Sequence, residues 1–225
     1  MKCHLRAGLA SLLLSLPILM GAAGAHAAVP AGAEGSESPG ASVEEDAPSA
    51  IVEAFHDALT QAMKRADELG YEGRYAELSP VLERTFDLDF MAEKSVGRYW
   101  RDLDEAARNR WLETFTRHTT ANYAGRFNAY TGQHFETRGS EPAAHETVVV
   151  NTVLVLPAEE DVQLNYRLRK TPLGWRVVDI YLNGTVSELA LRRSEYSAVI
   201  SRDGFDTLVS ELDGKIADMA AGKVQ

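Results

Sequence analysis

The chain has 225 residues, 45% of them hydrophobic and 25% charged, which suits one globular domain or at most two small ones. Its 33 acidic residues outnumber the 23 basic ones, for a net charge of −10. That balance argues against nucleic acid as a partner, because phosphate binding needs clustered Lys and Arg, and against a generic polybasic membrane patch.

Lys2 and Arg6 open the chain, and Ala7 to Met20 is an apolar run broken only by Gly8, two serines and Pro17. Ala25-His26-Ala27 then supplies an A-x-A cleavage pattern, so residues 1–27 are predicted to be a secretory signal peptide. The apolar run is shorter than the roughly 20 residues that span a bilayer. Cleavage would remove Lys2, Arg6 and the single cysteine, Cys3. The mature chain would then hold 33 acids against 21 bases (23 less two), a net −12. Without cysteine it has no disulfide, no thiolate catalysis and no cysteine metal site. The expected compartment is the periplasm.

Residues 28–48 are rich in Pro, Gly, Ser and acids and hold no aromatic residue, the composition of a disordered acidic linker. The folded domain is expected over residues 49–222. Ile51, Phe55, Leu59, Met63 and Ala66 recur on one face of a helix closed by Gly70. Shorter helices are predicted over Leu78 to Phe86 and Phe90 to Val96, separated by Asp87-Leu88-Asp89. A longer one starts near Asp104 and carries Trp111, Phe115, Thr119, Tyr123 and Phe127 in one stripe.

The pattern then turns to strands. His134 to Arg138 is a candidate, and Thr147 to Leu156 is β-branched and apolar enough to be covered on both faces. Val162 to Lys170 alternates, Thr171-Pro172-Leu173-Gly174 is turn chemistry, and Trp175 to Leu182 is a further strand. After Asn183-Gly184 the helical period returns through Leu189, Tyr196, Val199, Ile200, Leu208, Leu212 and Ile216. The fold class is therefore α+β, with N-terminal and C-terminal helices packed on a mostly antiparallel, curved sheet of about four strands.

Catalytic signatures are weak. His56, His118, His134 and His145 read as surface or strand-edge histidines, and His134-Phe135-Glu136 lacks the cysteines of a zinc deaminase. Asp87 and Asp89 form a D-x-D suited to a divalent cation, but they precede an apolar helix and read better as caps. Asp179 lies in an apolar strand and needs a partner, for which Arg192 or Arg193 is available. Neither a nucleophile elbow, a dinucleotide fingerprint nor a P-loop is present. No cofactor and no metal are expected. Asn183-Gly184-Thr185 fits a glycosylation sequon and fits a turn better.

From about residue 48 to 220 the chain resembles the Mla-type (toluene-tolerance, MlaC-like) family of periplasmic lipid carriers. The matching pieces are Phe86-Asp87, Met91-Ala92, Val96-Gly97, Trp100, Phe115, Tyr123 and Tyr166. Gly174-Trp175-Arg176-Val177-Val178-Asp179, Gly184, Ser187 and Arg202-Asp203-Gly204-Phe205 follow in order. Tyr181 to Ala190, Arg192-Arg193-Ser194-Glu195-Tyr196 and Gly70 to Tyr75 are similar to the carriers associated with hopanoid biosynthesis. Asn183 and the extra Thr185 depart from the phospholipid branch.

The resemblance implies a non-enzymatic shuttle between inner-membrane and outer-membrane lipid machinery. Its cargo would be a hopanoid or, alternatively, a glycerophospholipid, with the tails enclosed in an apolar cavity. The residues put forward as lining it are Phe90, Trp100, Trp111, Phe115, Tyr123, Tyr166, Trp175 and Tyr181. Two other classes predict different behaviour. An enzyme of the same fold would use Asp179 as acid or base, and an adaptor for membrane-protein partners would bind no lipid.

Overall fold

The computed structural model describes residues 47–223. The expected signal peptide and linker residues 28–46 lie outside the described residues; Ala47 caps the first helix and Pro48 occupies its first turn. The elements run α1 (Pro48–Lys64), α2 (Ala66–Thr85), α3 (Leu88–Ser95), a 3-10 turn (Gly97–Asp102) and α4 (Glu105–Arg126). Then come β1 (His134–Ala143), β2 (Thr147–Val155), β3 (Val162–Thr171), β4 (Gly174–Leu182), β5 (Val186–Ser187), α5 (Glu188–Asp203) and α6 (Phe205–Ala220). The sheet is antiparallel in the order β1-β2-β3-β4-β5.

The sheet has five strands rather than about four. Asn183 and Gly184 both take positive φ, 49° and 73°, and Thr185 N–H donates to Leu182 O at 3.2 Å. This tight turn folds Val186–Ser187 back onto Tyr181 and Leu182 as β5. Gly70 does not close the first helix. α1 stops at Lys64, and Gly70, with φ 59° and ψ −171°, is a kink inside α2. Buried Arg74 secures that kink by donating to Ala66 O and to Ala124 O, both at 2.9 Å.

α1, α2 and α4 bury Phe55, Leu59, Leu78, Leu82, Trp111 and Phe115 against Val150, Tyr166, Leu168 and Val177 of the sheet. The expected stripe of α1 holds, since Phe55, Leu59 and Met63 are buried. β2 is not covered equally on both faces: Val150, Thr152 and Leu154 are buried, whereas Val149, Asn151 and Val153 are half-buried. The packed layer lies on one side, as alternation in an antiparallel sheet requires.

Candidate functional site

On β3, Tyr166 and Leu168 point into the core, at 2% and 0% exposure. Their neighbours Arg167 and Arg169 therefore stand on the opposite face. The β3–β4 register shifts between Arg167 and Leu168: Arg167 pairs with Asp179 and Leu168 with Val177, leaving Val178 as an extra residue. Such a bulge re-aims side chains, and here Val177, Val178, Asp179 and Ile180 are buried in succession. Phe86 forms a parallel bridge with Val177, and Asp87 N–H donates to Val177 O at 2.9 Å. That contact docks the start of α3 beside the bulge, while the β4–β5 turn delivers the start of α5 to the same place.

The result is a cavity of about 480 Å³, within the range of small-molecule sites. Its apolar lining comes from Phe90, Val178, Leu189 and Ala190. Four cations line it as well, Lys94 from α3, Arg167 and Arg169 from β3, and Arg193 from α5. Asp179, Ser187, Thr147 and His145 complete the wall. A chain that is acidic overall thus collects positive charge in one hollow.

Each charged group is held differently. Arg169 pairs with Asp87 at 2.6 Å and lies over the Phe90 ring at 4.2 Å, while Lys94 lies 5.3 Å from the same ring and pairs with Glu93. Arg167 donates through Nε to Thr147 Oγ1 (2.9 Å), through Nη2 to Ala144 O (2.8 Å) and through Nη1 to Tyr181 Oη (3.3 Å). Asp179 accepts from Ile180 N–H (2.8 Å), Leu189 N–H (3.1 Å) and the Ser187 hydroxyl (2.6 Å). Ser187 in turn caps α5 by accepting from Ala190 N–H. Burial pushes the Asp179 carboxyl above the usual range in spite of these donors.

Arg192, a partner foreseen for Asp179, instead pairs with Glu188 at 2.6 Å and lies over the Phe115 ring. Arg193 makes no ion pair among the described residues. Asp179 is satisfied by hydrogen bonds, not by a cation. Asp87 does cap α3, accepting from Phe90 N–H at 3.2 Å. No group of His, Cys, Asp and Glu that would hold a metal occurs among the described residues.

Of the eight aromatics put forward from the sequence, Phe90 lines this cavity. Trp111, Phe115 and Tyr166 sit in the packed core, with Trp111 Nε1–H donating to Ala92 O at 2.9 Å. Tyr123 meets Phe55 edge-on at 5.4 Å, and Phe55 also meets Tyr166. Trp100 and Trp175 are partly buried against the core, and Tyr181 is half-buried behind Arg167. Two histidines differ from expectation. His56 and His118 are buried, because His56 bonds the Tyr166 hydroxyl at 3.0 Å and stacks on Phe135, and His118 bonds Asn122. Desolvation lowers both to about 3.

The model of the MlaC protein family matches residues 53–214. No curated protein matches the chain. Among solved structures, the phospholipid-binding protein from Ralstonia solanacearum, in complex with a phospholipid, is similar at a TM-score of 0.66 and 23% identity. The match covers 76% of this chain and 97% of that one. The likeness is one of fold. Among the described residues no helix is long and apolar enough to cross a membrane.

Proposed function

Because the chain belongs to the MlaC family, we propose that it is a periplasmic lipid carrier rather than an enzyme, moving lipid between inner-membrane and outer-membrane machinery. The observation that carries the reading is the amphiphilic lining of the cavity. Phe90, Val178, Leu189 and Ala190 offer hydrocarbon contact beside four cations. A lipid chain in water costs about 0.8 kcal/mol per CH₂, so a sixteen-carbon tail costs on the order of 12 kcal/mol, and a carrier must cover that surface.

The resemblance of Tyr181 to Ala190 to the hopanoid-associated carriers makes a hopanoid one cargo. A glycerophospholipid is the reading the cavity favours, since its cations would meet a phosphate and gain little from a neutral polycyclic lipid. Phe90 has the strongest claim to touch cargo. Trp111, Phe115 and Tyr166 fit that role less well, because their rings are already packed against protein.

Native mass spectrometry of the exported chain from a hopanoid-producing host, with extraction of co-purifying lipid, tests the proposal. Stoichiometric hopanoid or phospholipid supports the carrier and selects its cargo. A chain without lipid, and still without it after incubation with vesicles, supports the adaptor instead.

A further inference from the structure

Resting on the lipid-carrier reading, we propose that the cavity between α3, the start of α5 and the β3–β4 bulge seats the phosphate of a lipid headgroup, with Arg167 and Arg193 as its specificity-determining cations. Charge compensation separates these two from the other cations. Arg169 and Lys94 each have a carboxylate partner, Asp87 and Glu93. Among the described residues Arg167 and Arg193 have none, in a chain with ten more acids than bases.

Arg167 is aimed. Its three acceptors, Thr147, Ala144 and Tyr181, are all neutral. They fix the guanidinium plane without cancelling its charge, and they use three of its five N–H donors. The two left over match the paired oxygens of a phosphate. Arg193 is positioned by a glycine. Gly97 has φ +57°, and a Cβ there would lie 2.8 Å from Arg193 Nε. The missing side chain is the space in which the Arg193 stem runs toward the cavity.

The one acid in the lining, Asp179, is engaged by three donors of its own strand and the α5 start. It lowers the local positive charge without neutralising both arginines. The apolar groups beside the cations identify the ligand as an amphiphile rather than a free anion.

The test uses the full exported chain and two lipids with identical dioleoyl chains, phosphatidylglycerol and diacylglycerol, each dispersed in a nonionic detergent. The phosphate is expected to tighten binding about tenfold or more, the worth of one charge-assisted hydrogen bond. Arg193→Gln, which loses no hydrogen bond of the fold, should bring the ratio of the two affinities down severalfold at an unchanged melting temperature. Arg167→Gln should do the same, with some loosening of the β1–β2 turn.

Equal affinities in the native chain would overturn the phosphate seat and leave the carrier reading standing. Binding of neither lipid would overturn the phosphate seat, and with no hopanoid bound either it would overturn the carrier reading as well. Inorganic phosphate that binds in an Arg193-dependent way, with no preference between the two lipids, would make the cavity a free-anion site and overturn the headgroup assignment.

Discussion

Arg167 and Asp179 stand opposite each other in the β3–β4 register, on the same side of the sheet, and no ion pair joins them. Arg167 turns to Thr147, Ala144 and Tyr181, whereas Asp179 turns to Ile180, Ser187 and Leu189. Two opposite charges thus serve two separate tasks. Asp179 holds the start of α5 against β4, and Arg167 keeps its charge for the cavity.

Removing the carboxylate should therefore be felt in the fold. Asp179→Ala orphans the buried N–H of Ile180 and the half-buried N–H of Leu189 and is expected to cost about 1–3 kcal/mol, read from urea midpoints. Burial raises the native pKa of Asp179 above its ordinary 3.8. Its contribution is thus fully present below 3.8 and is lost as pH rises through the native value. Asp179→Asn keeps an acceptor and cannot titrate, so its stability profile should be flatter than that of the native chain in that window. Parallel profiles would contradict this.

His56 and His118 act in the opposite sense. Both are lowered by burial from 6.5 to about 3. The unfolded chain takes up their protons first, so stability is full above 6.5 and falls as pH drops from 6.5 toward 3. Each histidine contributes a slope of about 1.4 kcal/mol per pH unit across that range. His56→Gln should remove one proton's worth of slope between pH 6.5 and 5 in thermal melts. An unaltered slope would show that His56 protonates in the folded state.

Much of this architecture was legible because helix and strand periods survive packing. The four-residue spacing of Phe55, Leu59 and Met63, and of Trp111, Phe115 and Thr119, marked the buried faces of α1 and α4. The cavity was not legible. Arg167 and Arg169 alternate visibly with Tyr166 and Leu168, but Lys94 and Arg193 reach them only through the docking of α3 and α5 on a bulge that no local pattern announces. The acidic balance of the whole chain pointed away from any cationic patch, since net charge says nothing of how charges are placed. β5 was hidden for a related reason, as two residues are too few to show a period.

Core and cargo contact can be separated by mutation. Trp111 meets Tyr196 at 5.5 Å and Phe205 at 6.1 Å and donates to Ala92 O. Trp111→Ala should cost about 3–5 kcal/mol, with lipid retention falling only in step with the folded fraction. Phe90→Ala should weaken lipid retention more than it lowers the melting temperature. If melting and retention fell in parallel for Phe90 as well, it would be ordinary core.

A pair of glycine substitutions isolates the position of Arg193 from its charge. Gly70 and Gly97 both have φ near +60°, at +59° and +57°, and alanine at either strains the backbone. Each is expected to lose about 1–3 kcal/mol of stability. Around Gly70 no atom lies within 4 Å of a built Cβ, whereas at Gly97 the Cβ would meet Arg193 Nε at 2.8 Å. Gly97→Ala must push the Arg193 stem aside, so it should reduce the preference for phosphatidylglycerol over diacylglycerol while every charge is retained. Gly70→Ala, at φ 59° and ψ −171°, should lose stability through its own backbone strain and keep that preference. Equal preferences in the two variants would show that Gly97 does not position Arg193, and that the space beside it serves the backbone alone.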